Sequence, residues 1–459
     1  MSLGAFGLKR RMLAEVGLVA VMGAGLSLIS CGGYNSSGYL PPSRQIHRVL
    51  ASQGVTSTFS FGGLRIINAT NDTLPTASEV SAGSSPGLMA ISPNLGVLAA
   101  FDASSNSVFG VNTVTEAGLG RVQLPGPTQS MVVPTADPVG YAAVPTATVN
   151  GYAFIGAVEN MNFAGGGITT TIAVNNAQTV VANPARNQLL VFSNDSNSVT
   201  VLFPDGAVPP VDTSCLSNTP NAVCVVVQGF DRPVNAVINA AGTVAYILNC
   251  GAECGGTQAS VQTLDLSTFT PGPPVNVNGA TIALLSGTNL YVAGKGTPTG
   301  PLCSSIASAG TTAATFCGTL DILDLSQTPL TDPYFNNPAT EIAIPDGYHH
   351  RIDMSINGQL FVGSHECTNI GDVNNPVGEV RGCLAIYSTL NNTIVIPPDN
   401  GNVGGFQSLT QRNIEYVAEG GFLRVYDTNR NILLINDFVP QGSINIVGYV
   451  GDVKEIDFY

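Results

Sequence analysis

Three of the four histidines in the sequence lie in one short region. His349 and His350 belong to the run YHHRID, which begins at Tyr348, and His365 is followed by Glu366. Near neutral pH an imidazole can carry a proton or bind a metal ion, and an arginine can hold an anion. The sequence therefore predicts a pocket whose candidate catalytic residues are His349, His350, Arg351, His365 and Glu366.

A structural role is the alternative for the same residues. If the run forms a β-strand, alternation places His349 and Arg351 on one side and His350 on the other. The three side chains would then make hydrogen bonds between neighbouring sheets. Two histidines and a glutamate would bind a metal ion only if the fold brought them together, so we predict no metal site.

Clusters of Asn and Asp are weaker candidates for chemistry. Residues 194–197 (NDSN) and Asn71-Asp72 are similar to fragments of calcium-binding loops, but the same residue types are common in hairpin turns. We favour the turn role and expect no cofactor, with calcium as the alternative. The sequence contains no phosphate-binding loop and no His-Glu-x-x-His motif.

The first thirty residues are predicted to be an export signal. Lys9, Arg10 and Arg11 precede an apolar segment over residues 16–29, which is shorter than the ~20 apolar residues that span a bilayer. The following run LISCG, residues 28–32, resembles the bacterial lipobox. That resemblance implies cleavage before Cys31 and a diacylglyceryl group on its thiol; an ordinary signal peptide with an incidental cysteine is the alternative.

These features predict three parts of the chain. Residues 1–30 form a lipoprotein signal peptide, residues 31–45 a flexible tether with lipidated Cys31, and residues 46–459 a single domain. The lipid would hold the protein at a membrane outside the cytoplasm, in the periplasm or at the outer membrane or cell surface.

The eight remaining cysteines fall into four local pairs. An even number of locally paired cysteines in an exported chain predicts disulfides. Cys250 and Cys254, which three residues separate, could instead form half of a zinc site. However, no second Cys or His pair stands at metal-ligand spacing nearby. The predicted pairs are Cys215–Cys224, Cys250–Cys254, Cys303–Cys317 and Cys367–Cys383.

Charge excludes one class of partner. Charged residues make up 10% of the chain, the net charge is −14, and only 16 residues are Lys or Arg. Nucleic-acid phosphates require a basic surface. We therefore expect no nucleic-acid partner.

Short Val- and Leu-rich segments bounded by turn residues recur along the chain. Residues 178–203 hold three such segments, separated by an Asn-Pro turn and an Asn-Asp-Ser-Asn turn. Similar units recur about every 45–70 residues, from turns at residues 93, 138, 184, 240, 287, 357 and 412. Four short strands in each repeat are typical of a β-propeller blade. The predicted fold is an all-β propeller with eight four-stranded blades, or seven as the second choice.

The two termini are predicted to share a blade. Arg48–Ser52 and Leu64–Asn68 read as the second and third strands of a blade whose first strand is missing, and Asp452–Tyr459 alternates polar and apolar residues without a neighbouring partner. Pairing the C-terminal strand with the N-terminal strands closes the ring and removes exposed strand edges.

Residues 85–113 (SPGLMAISPNLGVLAAFDASSNSVFGVNT) and 232–249 (RPVNAVINAAGTVAYILN) resemble the YVTN-type β-propeller repeat of bacterial extracytoplasmic proteins and the related lactonase-like propeller repeat. The resemblance extends from about Arg48 to the C-terminus and implies the propeller. It implies little about function, because the matching residues are strand and turn positions and the fold hosts many functions.

In a propeller, the loops between second and third strands share one face, here called the loop face, with the connections between blades. Three of the predicted disulfides lie in such loops, within residues 250–383. We therefore expect a non-enzymatic binding or scaffolding platform in the cell envelope, with an envelope protein or a small ligand bound to the loop face. The alternative is a lactonase-like propeller hydrolase that uses residues 348–366. A third hypothesis, that the protein is a quinone-linked dehydrogenase subunit, rests on fold analogy alone.

Overall fold

The computed structural model describes residues 41–57, 62–76, 79–204, 223–296, 317–337, 339–367, 381–397, 401–409, 411–433 and 442–457. The chain divides into a unit of residues 1–41 and a unit of residues 42–459. All described residues except Pro41 belong to the second unit, which contains every strand in the described part of the chain.

Eight antiparallel sheets, each built on four strands, form the blades. In blades I to IV the strands, from the centre outward, are β33 (Val453–Asp457), β1 (Arg48–Gln53), β2 (Gly63–Asn68) and β3 (Glu79–Val80); β4 (Pro86–Ile91), β5 (Val97–Asp102), β6 (Ser107–Asn112) and β7 (Ala117–Gln123); β8 (Ser130–Val132), β9 (Val139–Thr148), β10 (Ile155–Asn162) and β11 (Gly167–Ala173); and β12 (Ala177–Asn183), β13 (Gln188–Ser193), β14 (Ser198–Phe203) and β15 (Val223–Gln228).

Blades V to VIII follow the same order. Their strands are β16 (Pro233–Ile238), β17 (Val244–Asn249), β18 (Ser260–Asp265) and β19 (Thr270–Asn276); β20 (Ile282–Ser286), β21 (Asn289–Gly296), β22 (Cys317–Asp324) and β23 (Ala343–Ile344); β24 (Tyr348–Met354), β25 (Gln359–Cys367), β26 (Arg381–Ser388) and β27 (Thr393–Val395); and β28 (Val403–Leu409), β29 (Ile414–Glu419), β30 (Phe422–Asp427) and β31 (Ile432–Leu433), with β32 (Ser443–Ile444) also paired to β30.

Helical structure in the described residues is limited to two short 3₁₀ turns, η1 (Pro184–Arg186) and η2 (Gly251–Cys254). Within the same part of the chain, no helix has the length and apolar character needed to cross a membrane.

The first strands of the blades meet around a central axis. Each contacts the first strand of the next blade, and the succession β4, β8, β12, β16, β20, β24, β28, β33 returns to β4. The ring is therefore closed with eight blades. This confirms the predicted eight-bladed propeller and excludes the seven-bladed alternative.

The C-terminal strand closes the ring as predicted. β33 pairs antiparallel with β1, with Val453 opposite Ala51. The preceding residue, Asp452, donates its backbone N–H to the Ser52 hydroxyl (2.8 Å) and accepts the backbone N–H of Met89 in blade II (2.8 Å). One carboxylate thus joins the blade made from both termini to its neighbour.

The hydrophobic core consists of layers between adjacent blades. One layer joins blades IV and V and includes Phe192, Phe203 and Ile247. Second strands such as β5 and β29 are covered on both faces, since all six residues of each are buried. They are therefore mostly apolar and do not alternate regularly, although β29 also buries two glutamates. This explains why unbroken apolar runs between turns were informative in the sequence.

Five first strands have a β-bulge close to the loop face. The extra residue in each case lies near the start of the strand, where the chain arrives from the preceding blade. A bulge shifts the side-chain alternation by one position, and this decides which way the polar residues of the site point. The register shifts fall at Pro86/Met89, Ala177/Thr179, Pro233/Asn235, His349/Arg351 and Val403/Gly405.

The structure contains two of the four predicted disulfides, Cys250–Cys254 and Cys367–Cys383, with Cα–Cα distances of 5.6 and 6.1 Å. Cys224 is also disulfide-bonded. Cys31, Cys215 and Cys303 lie outside the described residues, so lipidation and the pairings Cys215–Cys224 and Cys303–Cys317 stay predictions.

Candidate functional site

A cavity of about 360 Å³ lies on the loop face. Its lining comes from four blades, because first strands begin and second strands end on this face. Gln129 precedes β8 of blade III, Gln178 lies in β12 of blade IV, Arg232 precedes β16 of blade V, and Tyr348 begins β24 of blade VII. Residues separated by more than two hundred positions in sequence therefore surround one space of the size that holds a small molecule.

Three carboxamide side chains form a hydrogen-bonded chain at this cavity. The side-chain amide of Asn194 donates to Gln178 (3.1 Å), and that of Gln178 donates to Gln129 (3.2 Å). Gln178 is the extra residue of the bulge in β12, since Ala177 pairs with Ser193 and Thr179 with Phe192. Carboxamides both donate and accept hydrogen bonds, so the chain offers both functions to a ligand.

The charged pair at the cavity is Arg232 and Asp195. Their side chains are 3.6 Å apart, and Asp195 is 84% exposed. Arg232 has a positive φ of 58° and its backbone N–H donates to Asn197 (3.2 Å). An exposed pair of this kind contributes little to stability, so a ligand carboxylate or hydroxyl can replace Asp195 at small cost.

Glu253 is a titratable group beside the cavity. It lies in η2, inside the Cys250–Cys254 disulfide and next to the cavity-lining Cys254. Burial raises the pKa of Glu253 to about 7, although the Lys295 backbone N–H, 2.9 Å from the carboxylate, and the Lys295 charge act in the opposite direction. Burial, and then the charge of Glu253, raise the pKa of Tyr348.

Glu253 thus lies near Tyr348, which lines the cavity. Carboxyl groups with a raised pKa, such as Glu253, are common at functional sites. The sequence reasoning missed Glu253. The available signal was an acidic residue enclosed between two nearby cysteines, where a disulfide fixes its position.

His349 lies away from the cavity, between blades VI and VII. Its side chain is buried, and its Nε2–H donates to the Pro345 carbonyl (3.0 Å). A Cβ atom on Gly318 of blade VI would come within 2.6 Å of the imidazole ring, so the ring fills the space beside that glycine. Burial lowers the pKa of His349 to about 4.

His350 and His365 are brought together by the fold. Their ring centroids are 3.8 Å apart with the rings perpendicular. His365 donates to the Val403 carbonyl of blade VIII (3.2 Å). Burial lowers the pKa of His350 to about 2, assisted by the positive charge of Arg351, and burial also lowers the pKa of His365. Both imidazoles are therefore neutral at pH 7.

Arg351 also points toward blade VIII, where its Nε donates to the Gly404 carbonyl (2.7 Å). Glu366 is exposed at the end of β25 and has a positive φ of 56°. The fold thus groups His350, His365 and Arg351 and separates His349 from them. Their predicted catalytic roles stay predictions.

The expected strand alternation is wrong at these residues. His349 pairs with Ser364 and Arg351 pairs with the next residue, Gly363, which leaves His350 as the extra residue of a bulge. His349 and Arg351 consequently point to opposite sides, toward blades VI and VIII. The bulge is set by the pairing with β25, which strand periodicity alone does not contain.

The two Asp residues that resemble calcium ligands have cationic partners within the protein. Asp72 accepts hydrogen bonds from both terminal nitrogens of Arg412 (2.7 and 2.8 Å) and from Tyr416, and Asp195 pairs with Arg232. Across the described ranges, no group of three or more His, Cys, Asp or Glu side chains is arranged to hold a metal ion.

One motif was missed by the sequence reasoning. Residues 83–87 (GSSPG) match Gly-x-Ser-x-Gly, the pattern of a serine nucleophile between a strand and a helix. Here the motif leads into strand β4, and the backbone N–H of Ser85 donates to Asp102 (2.9 Å). Because a strand and not a helix follows, the motif lacks the context of a nucleophile elbow.

No family model matches the sequence, and no curated protein sequence matches it. Among solved structures, the dihydro-haem d1 dehydrogenase NirN in complex with DHE is 9% identical with a TM-score of 0.55, over 93% of this chain and 78% of that chain. A putative 6-phosphogluconolactonase from Bacteroides fragilis NCTC 9343 is 11% identical with a TM-score of 0.47, over 91% and 100%. The periplasmic gluconolactonase PpgL from Pseudomonas aeruginosa is 12% identical with a TM-score of 0.45, over 90% and 99%. The similarity to NirN shows that this chain has the fold of a β-propeller.

Proposed function

We propose that this protein is a non-enzymatic binding protein of the cell envelope that holds a small polar ligand on its loop face. The observation that carries the proposal is the cavity of about 360 Å³ at which side chains from blades III, IV, V and VII converge. Its carboxamide chain and Arg232 provide donors and acceptors, and Tyr348 provides an aromatic surface with a polar end. A ligand that both donates and accepts hydrogen bonds suits this lining.

The histidines support binding over catalysis. The rings of His349, His350 and His365 each contact a backbone carbonyl oxygen, and burial lowers the pKa of all three. The His365 contact joins blade VII to blade VIII, whereas His349 and His350 contact carbonyls of their own chain segment. Imidazoles held neutral in this way are poorly suited to exchange protons with a substrate at neutral pH.

The test is a thermal-shift screen of the full chain with amino acids, dicarboxylates, neutral saccharides and sugar lactones. A ligand at ~100 times its Kd adds ~2.7 kcal/mol to the free energy of unfolding and raises the midpoint. We expect the shift to disappear in Gln178→Ala and Tyr348→Ala. The matched control is Gln45→Ala, another half-buried glutamine, which should retain it.

Absence of any shift would contradict the small-ligand proposal, as would a shift that both cavity variants retain. The loop face would then be a surface for a protein partner of the envelope. The loops predicted to form that surface are largely outside the described residues, at 297–316 and 368–380.

Hydrolysis of a lactone is the second candidate, and Glu253 is the observation that favours it. With its pKa raised to about 7, this carboxylate can accept a proton from water as the water oxygen attacks the lactone carbonyl. The ring C–O bond then breaks, and the proton passes to the leaving alkoxide oxygen. The histidines of residues 348–366, whose pKa values burial lowers, are less suitable bases.

Lactone opening can be followed with a pH indicator. If Glu253 is the base, the rate rises with pH through about 7 and is lost in Glu253→Gln, while Glu79→Gln, which changes an exposed acid in blade I, leaves the rate unchanged. Hydrolysis no faster than in buffer would remove this candidate.

The envelope location rests on the disulfides and the N-terminal signal. Disulfides persist in oxidising compartments outside the cytoplasm, and the structure contains Cys250–Cys254 and Cys367–Cys383. The lipid anchor is tested by Cys31→Ser in the bacterial host. We expect the variant to leave the membrane fraction, and its retention there would contradict lipidation of Cys31.

A further inference from the structure

A second cavity, of about 480 Å³, lies between blades VI and VII on the face opposite the loop face. Blade VI contributes Asn289 at the start of β21 and Asp324 at the end of β22, and blade VII contributes Asn392 from the hairpin between β26 and β27. Second strands begin and third strands end on this face. The cavity is therefore separate from the one at the loop face.

An irregular segment forms the outer wall of the cavity. The fourth strand of blade VI, β23, has two residues and pairs only with Gly318 and Thr319, so residues 325–337 run beside the remainder of β22 without pairing to it. Asn278 holds this segment: its side-chain amide donates to the Tyr334 carbonyl (3.1 Å), and its oxygen accepts the Asn336 N–H (3.1 Å). Tyr334 is thereby fixed at the cavity before any ligand arrives.

Three tyrosines line the cavity: Tyr291, Tyr334 and Tyr387. Burial, and then the proximity of Tyr334 and Tyr291, raise the pKa of Tyr387 to about 12, which is consistent with hydroxyl groups that lie close together. The Tyr387 hydroxyl donates to the Asn392 side-chain oxygen (2.8 Å). The lining thus combines aromatic surface with hydroxyl and carboxamide groups.

The composition of the lining selects one class of ligand. Within the part of the chain that the structure describes, no Lys, Arg or His lines the cavity, and Asp324 is one of its lining residues, so an anionic ligand would be repelled. A quaternary ammonium suits aromatic rings, but it can neither donate nor accept hydrogen bonds. It would cover the half-buried carboxamide of Asn289 without bonding to it, whereas the exposed Gln327 side chain already donates to Asp324 (2.9 Å) and keeps its amide oxygen for a ligand. A neutral pyranose has both apolar C–H faces and hydroxyl groups around its edge.

We propose that the cavity between blades VI and VII binds a neutral saccharide, with Tyr334 against the sugar ring and the carboxamides of Asn289 and Gln327 on its hydroxyl groups. This site is independent of the ligand proposed for the loop face. A single chain would thus hold two different small molecules on opposite faces of the propeller.

Saturation-transfer NMR on the full chain tests the proposal. The probes are glucose, galactose, mannose and N-acetylglucosamine, with choline and glucose 6-phosphate as representatives of the other ligand classes. We expect saturation of at least one neutral sugar and a ten-fold or greater loss of affinity in Tyr334→Ala and Gln327→Ala. Gln327 is exposed, so its variant keeps the fold even if Tyr334→Ala disturbs the segment.

Leu390→Ala is the matched control, because Leu390 is 79% exposed in the blade VII hairpin but does not line the cavity. It should retain sugar binding. The proposal is overturned if no neutral sugar is saturated, if only choline or glucose 6-phosphate is, or if Gln327→Ala binds as the parent does. If Gln178→Ala loses sugar binding while Gln327→Ala retains it, the sugar binds in the loop-face cavity, and this result would also overturn the proposal.

Discussion

Replacement of Glu415 by glutamine is expected to stabilise the protein at neutral pH. Glu415 lies in β29 of blade VIII and has no exposed surface. Its carboxyl group faces that of Asp353 in β24 of blade VII. Asp353 accepts the backbone N–H groups of Met354 (2.8 Å) and Ser408 (3.1 Å). Burial, and then the charge of Asp353, raise the pKa of Glu415 well above its ordinary value of 4.5.

The sign of the pH dependence follows from the raised pKa. Between pH 4.5 and its folded pKa, Glu415 is protonated in the folded state and ionised in the unfolded state. The stability it contributes is fully present below the unfolded pKa and is lost as the pH rises through the folded pKa. The free energy of unfolding therefore falls by about 1.4 kcal/mol for each pH unit, or up to about 2.7 kcal/mol from pH 5.5 to 7.5.

Glutamine has the size of a protonated glutamate and does not titrate. We expect the advantage of Glu415→Gln over the parent to grow from about 1.4 kcal/mol at pH 5.5 to at most about 4 kcal/mol at pH 7.5. The measurement is urea unfolding followed by circular dichroism at pH 5.5, 6.5 and 7.5, since the chain has no tryptophan. The control is Glu366→Gln, an exposed acid. Parallel pH profiles for the parent and Glu415→Gln would refute the reasoning.

Two further perturbations test the closure of the ring and the covalent framework. Asp452→Ala leaves the buried Met89 N–H without its acceptor, and we expect the free energy of unfolding, measured in urea, to fall by about 1–3 kcal/mol. The control is Arg430→Ala, at an exposed ion pair, which should lower it by no more than about 0.5 kcal/mol. Equal losses in the two variants would contradict a closing role for Asp452. Joint replacement of Cys367 and Cys383 by alanine opens a loop with a sequence separation of 16 and should cost about 3 kcal/mol. An unchanged thermal midpoint in this double variant would show that the disulfide does not stabilise the fold.

The sequence contains enough local information to predict the propeller. Short, mostly apolar runs between Asn, Gly and Pro turns define strands where both faces of a sheet are covered, as in β5 (VLAAFD). Repetition of the four-strand unit requires stacking, because one sheet cannot bury its own faces. The unpartnered strand pair Arg48–Ser52 and Leu64–Asn68 then needs the C-terminal strand, which β33 provides.

The candidate site depends on tertiary contacts that local patterns do not contain. A bulge in β24 makes His350 an extra residue and sends His349 and Arg351 to different blades, so strand periodicity assigned their sides wrongly. Glu253 has an unremarkable sequence environment, and its raised pKa comes from burial in the folded chain. The loop-face cavity is lined by both Gln129 of blade III and Tyr348 of blade VII, which lie far apart in the sequence. Sequence determined the strands and the closure of the ring because these are set by neighbouring residues and by unpaired edges, whereas the cavities and the protonation states were decided by which blades the ring brings together.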